Sequence, residues 1–285
     1  MTIKVVDYMI TARCNLHCPF CYGPDPHMKG EMSEEAALSL VEFLYSQTIE
    51  SIIIAGGEPL ISPYLGDVID RATSLGIKVT LQTNTFWPEK LRVYLPILDW
   101  LAVPIDGFDD GTCLQMRTSK KHLDKSLEAI SMAQKYRKHG LKLKIGTVVT
   151  PFNLYQLIDI AKLVASIKPD IWKWYQVRPR GAGFNNHKLL FVPSETILKF
   201  EGIVRQYYPE LPLTISMNND AIKAYLIINP DSEILIPKIN DYMSFGHLIL
   251  PSLSINYRAW QSAIEALDIK NHEENIRKTF PSMLA

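Results

Sequence analysis

The four cysteines of this 285-residue sequence are unevenly distributed, and three of them lie within eight positions. Cys14, Cys18 and Cys21 occupy the stretch CNLHCPFC, with the spacing C-x3-C-x2-C. Thiolates this close together on one loop are typical ligands of a soft metal centre. An iron–sulfur cube can bind through three protein thiolates, whereas a structural zinc site needs a fourth protein ligand, which His17 or His27 would supply. The spacing alone leaves both centres open.

A glycine pair and a glutamate form the second group of residues that could bind a ligand or take part in catalysis. They lie in AGGEPL, residues 55–60, directly after a run of β-branched residues. Gly56 and Gly57 permit close approach of the backbone to a ligand, and Glu58 offers a carboxylate to an ammonium group, with Pro59 ending the motif. A tight turn with a solvated glutamate would have the same sequence, so the motif gains meaning only together with the cysteines.

Six segments rich in β-branched and aromatic residues are predicted to be strands that position these two motifs. They are residues 3–11, 51–55, 77–83, 100–105, 141–149 and 172–177. Helical patterns separate several of them, including one that Ser33 can cap and one after a predicted cap at Asn153. Alternating strands and helices predict an α/β fold with a parallel sheet, either open or curled into an incomplete barrel. Both arrangements bind ligands at the carboxyl ends of the strands.

The pattern changes after about residue 183, which predicts a core over residues 1–183 and an extension over 184–285. The extension contains a predicted helix from near Ser194, extended stretches at 211–216 and 232–237, and a polar helix after about Asn256. This mixture predicts an α+β extension or cap that packs on the core.

Composition and charge bear on the partners and on the compartment. Thirty basic and thirty acidic residues cancel, so no overall field attracts nucleic acid or an anionic membrane, and neither is an expected partner. The sequence has no run of eighteen apolar residues, and its first residues lack the pattern of a secretory signal. We therefore expect a cytoplasmic protein, in which a reducing environment keeps the thiols available for a metal.

Taken together, the C-x3-C-x2-C spacing and the GGEP turn resemble those of radical S-adenosylmethionine enzymes, and the similarity of element order covers roughly residues 3–180. The resemblance implies a partial (β/α)6 TIM-like barrel with a [4Fe–4S] cluster bound by Cys14, Cys18 and Cys21. It implies that S-adenosylmethionine chelates the fourth iron and is cleaved to methionine and a 5′-deoxyadenosyl radical, which abstracts hydrogen from a substrate. An electron donor such as flavodoxin or ferredoxin is the implied protein partner.

The resemblance also implies roles for individual residues around the cofactor. Glu58 would receive the amino group of S-adenosylmethionine, and Phe20, before the third cysteine, would contact its adenine. Thr83 and Asn84 would bind its ribose or carboxylate. The remaining implied contacts are Asp106, near the ribose, and Arg117, on a carboxylate or phosphate. Thr85 departs from the family pattern, because relatives often have glycine after the asparagine.

Cys113 is the only thiol outside the cluster motif, and it is predicted to lie in the loop after the fourth strand. Some peptide epimerases of the superfamily use a thiol to return a hydrogen atom to the product, which makes Cys113 a candidate catalytic residue. An idle thiol is the alternative. No cysteine follows Cys113 in the sequence, which argues against an auxiliary iron–sulfur cluster with thiolate ligands.

Three functions remain open from the sequence. The first is a radical enzyme that acts on a peptide or small natural-product precursor by epimerisation, cross-linking or rearrangement. The second is a viperin-like nucleotide dehydratase, which needs a triphosphate site; the candidate residues are Arg178, Arg180, Lys120 and Lys121. The third, of another class, is a zinc-stabilised binding module.

Overall fold

A computed structural model describes residues 3–23 and 29–283, and ten strands in this part of the chain form one sheet. The strands are β1 (Val5–Met9), β2 (Ser51–Ala55), β3 (Lys78–Gln82), β4 (Trp100–Pro104), β5 (Lys142–Val149), β6 (Ile171–Gln176), β7 (Leu213–Ser216), β8 (Ile227–Ile228), β9 (Glu233–Pro237) and β10 (Tyr242–His247). Their order across the sheet is β10-β9-β8-β1-β2-β3-β4-β5-β6-β7.

The six predicted strands are confirmed, and each pairs in parallel with its neighbour in the sequence from β1 to β6. All five residues of β2 and of β4 are buried, as expected for parallel strands with both faces covered. Because the strands are parallel, the cysteine loop after β1 and the GGEP turn after β2 emerge at the same edge of the sheet.

The sheet is strongly curved, in agreement with the predicted partial TIM-like barrel. In a flat sheet, β1 and β6 would lie five strand spacings apart, or roughly 24 Å. Yet Val5 of β1 and Ile171 of β6 belong to one hydrophobic cluster with Ile53 and Trp100. On the other face of β6, Trp172 and Trp174 pack into the large cluster beneath the helices. The curvature therefore creates a concave side, toward which Lys173 and Tyr175 point.

Eleven α-helices occur in the described residues. They are α1 (Glu34–Ser46), α2 (Leu65–Ser74), α3 (Pro88–Leu91), α4 (Asp110–Arg117), α5 (His122–Arg137), α6 (Leu157–Ile167), α7 (Gly181–Asn185), α8 (His187–Leu190), α9 (Ser194–Tyr207), α10 (Tyr257–Ala266) and α11 (Ile269–Thr279). None of the described helices combines the length and apolar composition needed to cross a bilayer.

Two predictions about helix starts have opposite outcomes. The Ser33 cap is confirmed, because its hydroxyl accepts a hydrogen bond from the Ala36 N–H at 3.2 Å. The predicted cap at Asn153 is wrong, since this side chain makes no capping bond. Its amide instead donates to the backbone oxygens of Asp106 and Val148, both at 2.8 Å. A buried amide satisfies more groups by joining two strand ends than by capping a short turn.

The residues after 183 extend the sheet at both of its edges. Strand β7 pairs in parallel with β6, and β8 pairs in parallel with β1, while β9 and β10 continue the sheet as antiparallel strands. The predicted extended stretches at 211–216 and 232–237 correspond to β7 and β9. The predicted polar C-terminal helix is two helices, α10 and α11. The proposed domain boundary at residue 183 stays a prediction.

Helix α11 packs into the concave side of the sheet. Ile276, Phe280 and Met283, from this helix and the turn after it, share a cluster with Val5 and Trp100. The rings of Phe280 and Trp100 meet edge to face, with centroids 5.2 Å apart. The C-terminal segment therefore fills the space that the amino-terminal ends of the strands leave open.

Replacing Phe280 tests the contribution of this packing. We expect Phe280→Ala to lower the free energy of unfolding by about 3–5 kcal/mol, because it removes a buried ring and leaves a cavity. The matched control is Tyr207→Ala, which removes a ring that is 67% exposed and should change stability by less than about 0.5 kcal/mol. Chemical denaturation measures both, and equal effects would contradict the packing role.

Candidate active site

The cysteine loop begins where β1 ends and is held in place by the segment after β6. Cys14 is exposed, Cys18 is buried and Cys21 is intermediate. The Cys21 carbonyl accepts the Gly183 N–H at 3.0 Å, and the Asn186 amide donates to the Pro19 carbonyl at 3.0 Å. Burial raises the pKa of the Cys21 thiol to about 11. Thiols in such surroundings become thiolates when a metal binds them.

The glycine pair lets the GGEP turn dock on the chain that enters the cysteine loop. Gly57 N–H donates to the Thr11 carbonyl at 2.7 Å, and Glu58 N–H donates to the Arg13 carbonyl at 2.8 Å. A Cβ atom on Gly57 would lie 2.0 Å from the Arg13 carbonyl oxygen, so no other residue fits this position. Gly56 has a φ of +145°. The described contact of the glycines is thus with the chain itself, and their contact with a ligand stays a prediction.

Glu58 lies at the centre of the strand ends, with its side chain 0% exposed. Its Oε1 accepts the Thr83 hydroxyl at 2.7 Å and the Leu60 N–H at 3.1 Å, and its Oε2 accepts the Asn84 N–H at 2.6 Å. Burial raises the pKa of this carboxyl, and the three donors oppose the shift. The carboxylate therefore organises the end of β3, in addition to its predicted role as a partner of the cofactor's amino group.

Asn84 uses every one of its polar groups. Its side-chain amide donates to Asn15 Oδ1 at 2.8 Å and lies 3.7 Å from Cys14 Sγ. Its backbone carbonyl accepts hydrogen bonds from the Thr85 hydroxyl at 2.6 Å and from His122 Nε2 at 3.1 Å. Burial lowers the pKa of His122 to about 3, which favours the neutral ring, and a hydrogen bond to a carbonyl oxygen requires the proton on Nε2. Asn84 is thus held rigidly next to the first cysteine.

Thr85 has a backbone conformation that explains why relatives often have glycine at this position. Its φ is +62°, in the left-handed region that favours glycine. A β-branched residue there costs about 1–3 kcal/mol. The Thr85 hydroxyl offsets part of this cost, because it bonds to both the Asn84 carbonyl and Ser126 Oγ, the latter at 2.9 Å.

Asp106 and Arg117 form a second organised pair at the end of β4. Asp106 is 1% exposed, and its Oδ2 accepts Arg117 Nε at 2.6 Å while its Oδ1 accepts the Val148 N–H at 2.6 Å. Arg117 Nη1 lies 3.7 Å from Cys18 Sγ, and its guanidinium lies 4.9 Å from the centroid of the Phe20 ring. The Asp106 carboxylate and the Cys18 sulfur keep the pKa of Arg117 above its usual value, despite burial.

Phe20 and Cys113 are both buried. Phe20 packs in a hydrophobic cluster with Leu16, Cys18 and Met116, so its contact with adenine stays a prediction. The prediction that Cys113 lies in a loop is wrong, because it is in the middle of α4, which Asp109 caps. Its side chain is 1% exposed, and burial raises its pKa to about 11. Helix α4 forms because the Asp109 carboxylate captures the Thr112 N–H at 2.9 Å. The hydrogen-donor role of Cys113 stays a prediction.

A zinc site would need His17 or His27 as its fourth protein ligand. His17 is exposed, and its described polar contact is its backbone N–H on Thr118 Oγ1 at 3.3 Å. His27 lies outside the described residues. Within residues 3–23 and 29–283, no three His, Cys, Asp or Glu side chains converge at the spacing of a single metal ion.

The concave side carries a cluster of charged and aromatic residues that the sequence did not predict as a site. Lys144 on β5 is 2% exposed and Lys173 on β6 is 0% exposed. Lys144 Nζ lies 4.5 Å from the Phe280 ring centroid, and Lys173 Nζ donates to Thr279 Oγ1. Arg178, directly after β6, lies 5.4 Å from the Tyr225 ring centroid. Helix α11 thus contributes the floor beneath both lysines.

Asp7 on β1 is the acidic partner that interacts with all three of these cations. Burial raises its pKa to about 7, although Lys144, Arg178 and Lys173 each favour its ionised form. Burial lowers the pKa of Lys144 to about 7, and it holds the pKa of Lys173 well below its usual value. Three basic side chains surround Asp7, and an anionic ligand would favour the charged form of the two lysines, which burial opposes.

Comparison with known proteins identifies the family. The sequence profile of the Radical SAM superfamily matches residues 8–164, more than half of the chain. The chain belongs to the radical S-adenosylmethionine superfamily. Members of this superfamily use a [4Fe–4S] cluster and S-adenosylmethionine. The residues at the strand ends fit such a group, because three thiols share one loop and N–H donors approach two of their sulfurs.

Several individual proteins are also similar to this chain. An S-adenosylmethionine-dependent nucleotide dehydratase of Flammeovirga pacifica is 27% identical over 258 residues, which cover 87% of each chain. An AdoMet-dependent heme synthase of Nitratidesulfovibrio vulgaris is 27% identical over 207 residues, which cover 70% of this chain and 55% of the synthase. SuiB of Streptococcus suis, solved with S-adenosylmethionine, has a TM-score of 0.64 at 15% identity, covering 85% of this chain and 63% of SuiB.

The structure brings most of the predicted site residues together, although some of the important neighbours were missed. The cysteines, Glu58, Thr83, Asn84, Asp106 and Arg117 meet at the strand ends. Of the four residues predicted for a triphosphate, Arg178 lies on the concave side, Arg180 donates to the Lys238 carbonyl, and Lys120 and Lys121 are exposed before α5. Lys144 and Lys173 were missed. Their signal was a lysine between two large apolar residues of a predicted strand, Lys144 between Leu143 and Ile145 and Lys173 between Trp172 and Trp174.

Replacing Glu58 tests its role as an organiser of the strand ends. In the cluster-loaded protein, we expect Glu58→Gln to lower the free energy of unfolding by about 1.5–3 kcal/mol, because charge-assisted hydrogen bonds at a buried carboxylate are lost. Denaturant unfolding measures this, with the exposed Glu89→Gln as the matched control. Unchanged stability with weaker S-adenosylmethionine binding would instead show that the cofactor is the main partner of Glu58.

Proposed function

We propose that this chain is a radical S-adenosylmethionine nucleotide dehydratase, which removes water from a nucleotide. The observation that carries the proposal is the group of buried basic side chains on the concave side, Lys144, Lys173 and Arg178, which lie around Asp7. Buried ammonium groups are costly unless an anion balances them. The phosphates of a nucleotide that enters from the carboxyl-terminal side of the barrel would supply that charge.

We assign the cluster to Cys14, Cys18 and Cys21, with S-adenosylmethionine as the ligand of the remaining iron. When bound, the cluster and the cofactor supply the radical that removes a hydrogen atom from the substrate. The chain's own residues hold this machinery in place. Glu58 orients Asn84 toward Cys14, and Asp106 orients Arg117 toward Cys18.

The concave side would bind the phosphates through cations that the protein already positions. Thr279 accepts a hydrogen bond from Lys173, and the Phe280 ring lies beside the Lys144 ammonium. Both contacts leave further N–H donors of each ammonium for phosphate oxygens. Arg178 would add a planar guanidinium, a group that binds phosphate in a bidentate manner.

The comparisons favour a nucleotide over the peptide that the sequence led us to expect. The similarity to the Flammeovirga pacifica nucleotide dehydratase extends over 87% of both chains. SuiB has also been solved with the precursor peptide SuiA, yet at 14% identity its likeness supports the fold alone. The peptide-modifying function is therefore less well supported than the alternative.

Reductive chemistry at the cluster also needs an electron donor. Removal of a hydrogen atom followed by loss of hydroxide leaves the substrate one electron short of a closed-shell product. The reaction therefore requires a second electron, in addition to the electron that cleaves S-adenosylmethionine. We propose a flavodoxin or ferredoxin as its source, in keeping with the one-electron chemistry of both carriers.

Anaerobic turnover tests the proposed function. The cluster-loaded protein is incubated with reductant, S-adenosylmethionine and each nucleoside triphosphate in turn. We expect one of them to yield 5′-deoxyadenosine together with a product lighter by one water, as measured by mass spectrometry. Cys18→Ala, which lacks one proposed ligand, should lose both its iron and this activity. If no nucleotide stimulates 5′-deoxyadenosine formation, the dehydratase proposal is wrong.

Binding measurements test the phosphate site. We expect Lys144→Met and Lys173→Met each to weaken triphosphate binding about 10- to 100-fold, because each removes a charge-assisted hydrogen bond of about 1.5–3 kcal/mol. The exposed Lys162→Met is the matched control. Isothermal calorimetry with the nucleoside and its triphosphate separates base recognition from phosphate recognition. Equal affinities of all three variants for the triphosphate would contradict the assignment.

The same titrations should depend on pH in a defined direction. Above about pH 7, Lys144 loses its positive charge and Asp7 gains a negative one, since both have a pKa of about 7. Both changes weaken the binding of an anion, so the affinity should fall as the pH rises through 7. The Lys144→Met variant should show a smaller fall, which separates this effect from ionisation of the phosphate itself.

A further inference from the structure

Side-chain N–H groups approach two of the three cysteine sulfurs proposed as cluster ligands. Asn84 Nδ2 lies 3.7 Å from Cys14 Sγ, and Arg117 Nη1 lies 3.7 Å from Cys18 Sγ. Both distances fall within the range of hydrogen bonds to sulfur, whose radius is larger than that of oxygen. The two donors reach the cysteine loop from different elements, because Asn84 follows β3 and Arg117 is the last residue of α4.

Each donor is fixed by its own buried carboxylate. Glu58 Oε2 accepts the backbone N–H of Asn84 at 2.6 Å, and Asp106 Oδ2 accepts Nε of Arg117 at 2.6 Å. Glu58 and Asp106 follow β2 and β4, and both are buried. Because the carboxylates bind other atoms of these residues, the side-chain amide of Asn84 and Nη1 of Arg117 stay directed at sulfur.

Arg117 is the stronger of the two donors, because it carries a full charge. Its side chain is only 16% exposed, so water screens this charge weakly. The Phe20 ring below the guanidinium, at 4.9 Å, restricts it further. A fixed cation at a thiolate ligand stabilises the more negative, reduced state of an iron–sulfur cluster.

We infer that Arg117 and Asn84 raise the reduction potential of the cluster by donating N–H groups to the sulfurs of Cys18 and Cys14. Asp106 and Glu58 act as positioning residues for these two donors. The inference rests on the proposed ligand role of the three cysteines, and it is independent of the substrate. According to this inference, the polar residues at the ends of β2, β3 and β4 help to set the reduction potential of the cluster.

The test is the reduction potential of the cluster, measured without S-adenosylmethionine so that contacts to the cofactor play no part. Iron content is determined first, and the reduced cluster is then followed by electron paramagnetic resonance during a redox titration. We expect Arg117→Met to lower the ratio of reduced to oxidised cluster about tenfold at a fixed potential, equivalent to about 59 mV for a one-electron couple. Arg117→Lys, which keeps the charge, should shift it less.

Arg13→Met is the matched control. Arg13 adjoins Cys14 in the sequence and carries the same charge, but its side chain is 58% exposed and pairs with Glu31 at 2.9 Å. Its removal should leave the potential close to that of the wild type. Wild-type potentials in both Arg117 variants would overturn the inference, and the nucleotide dehydratase proposal would be unaffected.

Asp106→Asn distinguishes positioning from simple charge. Removal of a negative charge near the cluster would by itself raise the potential. If Asp106 positions Arg117, the variant should instead lower the potential, because the guanidinium is released from Cys18. Electron–nuclear double resonance after exchange into deuterated water gives an independent readout. Exchangeable protons of both Arg117 and Asn84 should couple to the cluster in the wild type. Arg117→Met should lose the coupling of Arg117 and keep that of Asn84, and a spectrum equal to that of the wild type would contradict the inference.

Discussion

The buried carboxylate of Glu58 is the interaction on which the geometry of the strand ends depends. The backbone N–H of Glu58 donates to the Arg13 carbonyl, in the chain that leaves β1. The side chain of Glu58 accepts hydrogen bonds from Thr83 and Asn84, which follow β3. An ionised carboxylate with no exposure to water is very costly unless donors surround it. Three donors do so here, and they thereby join three neighbouring strand ends into one unit. The cysteine loop leaves β1 beside this junction.

A second buried carboxylate repeats this arrangement farther along the sheet. Asp106 connects β4 to β5 through the Val148 N–H, and to α4 through Arg117. Asn153 strengthens the same junction by donating to the backbone oxygens of Asp106 and Val148. The strand ends therefore form a continuous polar rim, in which each charged group has a partner within the chain. Such a preorganised rim keeps donors in place before any ligand arrives.

The concave side follows a different principle, because burial there acts against the charges of its side chains. Lys144, Lys173 and Arg178 share Asp7, and burial opposes the charged form of both lysines. Helix α11 closes the region from below and contacts both lysines through Thr279 and Phe280. The C-terminal residues thus complete the barrel physically and also determine where its cations lie. An anionic substrate would favour the charged form of both lysines.

The sequence by itself determined the order of the strands and the residues of the cofactor region. Local patterns suffice for both, since β-branched runs mark β1 to β6, and the spacing of Cys14, Cys18 and Cys21 is contained in eight residues. The left-handed conformation of Thr85 was not predicted, although relatives often have a glycine at this position. Only the tertiary structure decided which groups meet across the barrel. Asp7 and Lys173 are 166 residues apart in the sequence, and curvature of the sheet brings them together. Likewise, the sequence around Asn153 is typical of a helix cap, but its amide binds between two strand ends. Which hydrogen bonds such a side chain makes depends on the distant groups that the fold brings near it.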